Sequence, residues 1–155
     1  MSHPCVWLHD AAISPEDLAL RSNPHAAVIF VFDEPALREE PVAFHRLDFI
    51  FAGVCETFRT IAHPIKEVRR GDPVVEIADF CAEHGCDQIH VTDNPDPRTR
   101  QIVQSLRKRH RVVVYPYETL TDYAEEPRRF SRFWEKTAKQ VLGYHPRQNR
   151  KFHRG

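Results

Sequence analysis

The chain has 155 residues, of which 41% are hydrophobic and ten are phenylalanine, which is typical of one globular domain rather than a disordered segment. No apolar run approaches the ~20 residues needed to cross a bilayer, and the N-terminal stretch MSHPCVWLHD lacks the pattern of a signal peptide. We therefore expect a cytoplasmic protein with no membrane partner.

The formal net charge of zero conceals an uneven distribution. Residues 1–127 hold 13 Lys or Arg and 21 Asp or Glu, a net of −8, whereas residues 128–155 hold nine and one, a net of +8. We predict a folded domain over residues 1–142 and a basic C-terminal tail over residues 143–155. The tail could bind nucleic acid, contact its own acidic domain or stay solvated.

Strand and helix patterns alternate from the start of the chain. CVWLH at residues 5–9 predicts a first buried strand, and SPEDLALRS predicts a helix with Ser14 as N-cap and Asp17 closing a capping box. AAVIFVFD at residues 26–33 is almost continuously apolar, as is typical of a parallel strand covered on both faces.

Next come a loop bracketed by Pro35 and Pro41, a helix over residues 42–61 and a weaker edge strand over residues 65–72. The helix is predicted from apolar residues at steps of three and four, which should all face the core. They are Phe44, Leu47, Phe51, Val54, Phe58 and Ile61.

The second half repeats the alternation. It predicts a helix over residues 73–85, a strand over residues 86–93, a helix over residues 96–110, a strand over residues 111–117 and a final helix over residues 128–143. The final helix should bury a face that includes Phe130, Phe133, Trp134 and Val141.

Such alternation specifies an α/β fold, a doubly wound, Rossmann-like sheet of five parallel strands. Right-handed crossovers and helices on both faces favour the strand order 3-2-1-4-5. The order reverses between the first and fourth strands, where the carboxyl ends leave a crevice that binds ligands in folds of this kind.

Polar residues follow three of these strands and should line that crevice. They are His9 and Asp10 after the first strand, Asp33 and Glu34 after the second, and Thr92, Asp93 and Asn94 after the fourth. So many carboxylates would repel a polyphosphate, so the set favours a ligand with several N–H or O–H donors, such as a pterin, a flavin ring or a ribose. Alternatively, Asp93 and Asn94 only form a turn and Asp96 only caps the following helix.

Several functional motifs are missing from the sequence. There is no GxGxxG, no GxxxxGK[ST] and no GxSxG, so a dinucleotide dehydrogenase, a P-loop enzyme and an α/β-hydrolase are not supported. CAEHGC places His84 between Cys81 and Cys86, but this spacing matches no common zinc pattern. We therefore predict no metal site and no catalytic residue.

The order of segments resembles the N-terminal α/β domain of the DNA photolyase and cryptochrome family. The resembling segments are VWLH, VIFVFDEP, FHRLDFIFAGVCETF, the run from RRGDPVV to RQIV, and FSRFWEKTAKQ. The family's Arg-Asp-Leu-Arg run after the first strand stands here as HDAAI, without either arginine.

The resemblance implies an antenna-binding domain. In the family this domain can hold a folate, a deazaflavin or a flavin, while repair chemistry belongs to a following FAD-binding helical domain, which these 155 residues do not include. We therefore expect no enzymatic activity from the chain alone, and either a separate FAD-binding chain or a second copy as partner. The site residues implied by position are Asp33, Glu34, Arg46, Asp93, Asn94, Asp96 and Arg98.

Two other functions stay open. An ATP- or AMP-binding protein related to the universal stress proteins would use the same crevice for a nucleotide. A nucleic-acid or protein interaction module would use the basic tail, and its affinity for nucleic acid would fall steeply with salt.

Overall fold

The computed structural model describes residues 3–117, 121–123 and 129–143. The chain forms two compact units, Met1–Tyr117 and Glu118–Gly155. Residues 144–155, which make up almost all of the predicted basic tail, lie outside the described residues, so both the tail and its boundary stay predictions.

The first unit contains a five-stranded, all-parallel sheet in the order β3-β2-β1-β4-β5. This confirms the predicted fold class and strand order. The strands are β1 Pro4–Leu8, β2 Ala27–Asp33, β3 Lys66–Gly71, β4 Gln88–Thr92 and β5 Arg111–Tyr115.

Helices cover both faces of the sheet, because successive residues of a strand point to opposite faces. On one face Trp7, Ile29 and their neighbours pack against α4 and α5, and on the other Val6, Leu8 and Phe30 pack against α1 and α3. The helices of this unit are α1 Leu18–Ser22, α2 Glu34–Glu39, α3 Phe44–Thr60, α4 Pro73–His84 and α5 Pro97–Leu106.

Two predictions are wrong, one about the N-cap of α1 and one about the segment between Pro35 and Pro41. The N-cap of α1 is Asp17, whose carboxylate accepts a hydrogen bond from the Leu20 amide at 3.1 Å, whereas the Ser14 hydroxyl accepts from the Glu16 amide. The segment predicted as a loop between Pro35 and Pro41 contains α2, because proline is tolerated in the first turn of a helix, where its missing N–H would have no partner.

The predicted stripe of α3 is also only partly buried. Val54 is inaccessible to solvent, but Phe44 is 81% and Phe51 46% exposed. Only the C-terminal half of α3 packs closely on the sheet, while Leu47 and Ile50 in its N-terminal half line a cavity. An amphipathic pattern therefore predicted the helix correctly but overestimated the area that the sheet covers.

Strand β3 forms one edge of the sheet and is the most polar of the five strands. Lys66 lies along it and donates hydrogen bonds to the Phe58 and Ile61 carbonyl oxygens at the end of α3, at 2.8 and 3.0 Å. Arg69 and Glu67 also lie on this strand and pair with each other. The edge is thus occupied by charged side chains.

The second unit contains helix α6, Phe130–Leu142, which ends at Gly143 in the left-handed conformation at φ 70°. Phe133 contacts the Tyr123 ring edge-on at 5.2 Å. The predicted buried face is partly wrong, since Phe130 is 72% and Val141 40% exposed. Across the described ranges, no helix has both the length and the apolar character to span a membrane.

Candidate ligand-binding cavity

A cavity of about 390 Å³ opens at the carboxyl ends of β1 and β2, beside the point where the strand order reverses. Helices α2, α3 and the first turns of α5 form its walls, so elements distant in sequence meet there. Its volume falls in the range of small-molecule sites. Its large apolar lining residues are Trp7, Phe30, Val31, Phe32, Leu37, Val42, Leu47, Ile50 and Ile102.

The charged residues of the cavity are mostly acidic. The acids are Asp10, Asp33, Glu39, Glu40 and Asp96, and the bases are Arg46 and Arg98. With His9 neutral, the lining carries an excess of three negative charges, which disfavours a polyphosphate that arrives without a cation. Arg46 forms no ion pair among the described residues, so its guanidinium is available to a ligand.

Asp33 and Arg98 form an ion pair that joins the end of β2 to the first turn of α5. Arg98 Nε donates to Asp33 Oδ2 at 2.8 Å and Arg98 Nη2 donates to Oδ1 at 3.1 Å, a two-bond geometry that fixes both side chains. These hydrogen bonds raise the pKa of Arg98 above its ordinary value. Asp33 Oδ1 also accepts from the Ala36 amide at 3.0 Å, so one carboxylate starts α2 and closes one side of the cavity.

His9 lies beside the cavity with one ring nitrogen unsatisfied. Its Nε2 is 2.7 Å from the Thr92 carbonyl oxygen, and because a carbonyl can only accept, Nε2 must carry the proton. The other nitrogen, Nδ1, is then an acceptor, and it is buried without a hydrogen-bond partner. A buried acceptor of this kind costs about 1–3 kcal/mol while unpaired, and a ligand or water with an N–H or O–H group would satisfy it.

A family model described as DNA photolyase matches residues 8–151 of the 155. The chain belongs to the DNA photolyase family. No curated protein matches the sequence.

Solved structures share the fold of this photolyase-family chain. The hypothetical protein MJ0577 superposes with a TM-score of 0.51 at 14% identity, covering 77% of this chain and 99% of the other. The hypothetical protein PH0823 gives 0.49 at 13% identity, and a universal stress protein in complex with cAMP gives 0.44 at 12% identity, each with the same coverages. At these identities the likeness concerns the α/β fold.

Six of the ten residues predicted for the site line the cavity of this photolyase-family domain. They are His9, Asp10, Asp33, Arg46, Asp96 and Arg98. Asp96 is also the N-cap of α5, since its carboxylate accepts from the Arg98 amide at 2.9 Å. Glu34 lies outside the cavity and pairs with Arg38 one helical turn later, at 3.1 Å.

The other three predicted residues, Thr92, Asp93 and Asn94, also lie outside the cavity lining. Asp93 Oδ1 accepts from the Asn94 amide at 2.8 Å, Asn94 Oδ1 accepts from the Asp96 amide at 3.0 Å, and Asn94 Nδ2 donates to the Thr99 hydroxyl at 3.3 Å. These bonds hold the turn between β4 and α5. The turn positions Asp96 and Arg98, and so contributes to the cavity indirectly.

Two acidic residues of the lining, Glu39 and Glu40, were not predicted as site residues. Both residues lie at the C-terminal end of α2, which reaches the cavity, and the segment that forms α2 was predicted to be a loop. The position of Trp7 near the carboxyl end of β1 could have predicted it as a lining residue. Whether its side chain faces the cavity, however, depends on the register of the sheet.

A separate polar cluster occupies the outer face near β3. Arg69 donates to carboxylate oxygens of both Glu67 and Glu83, and His84 Nε2 lies 2.7 Å from Glu67 Oε1. Burial raises the pKa of Glu67, but the hydrogen bonds from Arg69 and His84 outweigh it, so the pKa is lower than usual. Because the Arg69 guanidinium pairs with both carboxylates, this cluster is an ion-pair network.

Proposed function

We propose that this photolyase-family domain binds a planar ligand rich in N–H or O–H donors, of the pterin, flavin or nucleotide type, in the cavity at the carboxyl ends of β1 and β2. It would act as a non-catalytic accessory to a flavin-carrying partner in light-dependent DNA repair or light sensing. The observation that carries the proposal is the cavity itself, apolar in its walls and acidic in its polar groups.

Three features of the cavity support this class of ligand. The half-buried ring of Phe32 offers aromatic surface to a ring system. The excess of carboxylates and the unpaired Nδ1 of His9 are acceptors, which match ring N–H and hydroxyl donors. Arg46 is a donor that could accommodate a ring carbonyl oxygen or a single carboxylate.

The same residues support a binding role rather than a reaction. Asp33 is held by Arg98 and by the α2 amide, and Asp96 is held by the first turn of α5, so neither is free to act as a general base. His9 Nε2 is fixed on a backbone carbonyl. None of these groups stands beside a nucleophile within the described part of the chain, and nucleophilic catalysis would need such a pair.

The direct test is the absorption spectrum of the protein as purified from its native host, followed by mass spectrometry of the material released on denaturation. We expect an absorption band at wavelengths longer than that of the protein alone, and a released compound containing a pterin, flavin or nucleotide. A protein that carries no such compound and that binds neither riboflavin nor folate in equilibrium titration would contradict the proposal.

Arginine variants can locate the site. If Arg46 contacts the bound ring, Arg46→Ala should weaken binding of riboflavin or folate about tenfold, since a hydrogen bond from a charged donor contributes about 1.5–3 kcal/mol. The matched control is Arg38→Ala, because Arg38 is exposed and pairs with Glu34 outside the cavity. Equal ligand affinities of the two variants would mean that the ligand binds outside this cavity.

The ATP- or AMP-binding alternative predicts that the cavity accepts the negatively charged phosphate groups of a nucleotide. Calorimetry with ATP in the absence of a divalent cation should give no heat, because the acidic lining repels a bare polyphosphate. Saturable heat that disappears in Asp33→Ala would favour the nucleotide function instead.

A further inference from the structure

The turn between α5 and β5 carries the densest positive charge in the described part of the chain. This basic turn, residues 107–111, reads RKRHR and holds four of the 13 Lys and Arg residues of positions 1–127, and none of the 21 Asp and Glu residues there. It lies at the amino end of the sheet, opposite the acidic cavity. His110 is half-buried, and the exposed cations of the turn are Arg107, Lys108, Arg109 and Arg111.

The four cations of the basic turn have no partner among the described residues. None of them forms an ion pair or a side-chain hydrogen bond there. By contrast, five other arginines of the same unit pair with an acid, namely Arg21, Arg38, Arg69, Arg98 and Arg100. Because four unpaired like charges on one turn repel one another, an anionic partner would stabilise them.

The backbone of the basic turn is already fixed. The amides of residues 107–110 donate to carbonyl oxygens near the end of α5, over 2.9 to 3.2 Å. The dipole of α5 favours a cation at this end, but these carbonyl groups accept from backbone amides, so the cationic side chains are not used as caps. A partner would have to order side chains only, which lowers the entropic cost of binding.

A second cavity, of about 400 Å³, lies beside the basic turn between α4 and α5. Its polar side is formed by Ser105, by one acid, Asp79, and by three residues of the turn, Lys108, Arg109 and His110. Its apolar side is formed by Val74, Val75, Ala78 and Leu106. Cations beside an apolar wall match a phosphate that is attached to a planar base, since the phosphate can pair with the cations while the base lies against the wall.

We propose that the basic turn is a binding surface for the phosphate backbone of a nucleic acid. An arginine guanidinium can bind two phosphate oxygens at once, and the regularly spaced phosphates of a nucleic acid let several of these cations be paired together. The other nine cations of positions 1–127 stand among 21 acids, so the rest of the domain repels a polyanion and directs it to this turn. A membrane surface fits less well, because interfacial binding also uses large apolar side chains, and the turn has none.

The first test measures binding of the full chain to a fluorescently labelled DNA duplex of random sequence by anisotropy. If three or more phosphates are paired, the affinity should fall at least about 40-fold as the salt rises from about 50 to 200 mM. The turn variant Arg107→Gln, Lys108→Gln, Arg109→Gln should bind at least about tenfold more weakly and with a shallower salt dependence. No binding by the unmodified protein, or an unchanged affinity of the turn variant, would overturn the proposal.

The matched control removes the same charge from the basic C-terminal tail, as Arg150→Gln, Lys151→Gln, Arg154→Gln. This tail variant should keep a clearly higher affinity for DNA than the turn variant. A loss of affinity equal to that of the turn variant would mean that net charge alone decides binding. Tighter binding to phosphatidylserine vesicles than to DNA would assign the turn to a membrane surface, and either result would overturn the proposal.

A measurement on the unmodified protein covers the case in which circular dichroism shows that the turn variant is not folded. DNA should protect the amine of Lys108 from acetylation, as read by peptide mass spectrometry, and high salt should abolish the protection. Equal acetylation of Lys108 with and without DNA would overturn the proposal. Neither measurement involves the cavity at the carboxyl ends of β1 and β2, so the ligand proposed there can fail without affecting this result.

Discussion

The two ends of the parallel sheet are built in opposite ways. At the carboxyl end the chain leaves a cavity with an excess of acidic groups and a buried histidine nitrogen without a partner. At the amino end the strands are tied together: the His3 amide donates to Asp87 Oδ1 at 2.9 Å, the Asp87 amide donates to the His3 carbonyl at 3.0 Å, and Cys5 contacts Cys81.

This difference follows from the winding of the fold. The connections after β1 and β4 depart to opposite faces of the sheet, so the carboxyl ends of these strands are left uncovered. The amino ends receive the helix C-termini and can close tightly. One sheet thereby has an open end at the cavity and a closed end at which side chains and backbone groups contact one another.

The largest expected effect comes from damaging the core that supports both ends. Phe80 in α4 is fully buried among the side chains of β1, β2 and β4, and His84 and Arg69 contact its ring. Phe80→Ala should lower the free energy of unfolding by about 3–5 kcal/mol, measured by urea denaturation. Val75→Ala on the exposed side of α4 should change it by less than about 0.5 kcal/mol, and equal losses would mean that α4 is not packed as described.

A smaller effect is expected at the open end from Asp33. Asp33→Ala removes the N-cap of α2 and leaves Arg98 without its partner, so we expect a loss of about 1–2 kcal/mol in urea denaturation. Asp33→Asn keeps an oxygen that can accept from the Ala36 amide and should lose about 1 kcal/mol less than Asp33→Ala. If the two variants are equally stable, Asp33 does not cap α2.

The polar network around Asn23 predicts how acid affects stability. Burial lowers the pKa of both His63 and His90, and Asn23 joins them: its carbonyl lies 3.0 Å from His63 Nε2 and its Nδ2 lies 3.1 Å from His90 Nδ1. Both rings are thus neutral in the fold. Their contribution is complete above the unfolded pKa of about 6.5, and it is lost as the pH falls from there towards the lower folded pKa, because the unfolded chain binds protons first.

Urea denaturation at a series of pH values measures the contribution of neutral His63 and His90 to stability. The free energy of unfolding should fall below about pH 6.5, and the double variant His63→Gln, His90→Gln should show a flatter profile there. His45→Gln on the exposed side of α3 is the control. An unchanged slope in the double variant would assign the acid sensitivity to other groups.

The smallest expected effect concerns the reactivity of Cys86 at the closed end. With a pKa of about 7, its alkylation by iodoacetamide should rise with pH around 7 and level off above it, whereas an ordinary thiol rises around ~8.5. At pH 7 we expect a rate about threefold above that of the same cysteine in urea, since the gain in thiolate is partly offset by lower nucleophilicity. Peptide mapping assigns the rate to Cys86, and a midpoint unchanged by urea would contradict the lowered pKa of Cys86 in the folded protein.

The fold could be predicted because its signals are local and repeated. The apolar run of β2 and the Asp and Pro that begin α4 and α5 each act over a few residues, and the topology then follows from the handedness of crossovers. The failures have one cause in common. Whether α2 forms beside Pro35, and whether Phe44 is covered, depend on packing that a local pattern does not contain.

The two ends of the sheet also differed in how far they could be predicted. Strand ends and topology were enough to place His9 and Asp33 at the cavity, and the family resemblance added Arg98. The contact between Cys5 and Cys81 depends instead on α4 packing on the sheet with the side chain of Cys81 in the same layer as Cys5. These residues are 76 positions apart in sequence, and no motif predicts that they meet.

The charged edge strand β3 limits how another protein can approach this domain. A bare strand edge invites an extended peptide to add itself to the sheet, and charged side chains on that edge discourage such pairing. With Lys66 turned onto the end of α3 and Arg69 joined to Glu67 and Glu83, a segment that aligned along β3 would have to displace these contacts. We therefore expect the β3 edge not to accept an added strand, and the protein to resist stacking edge to edge into fibrils from this side.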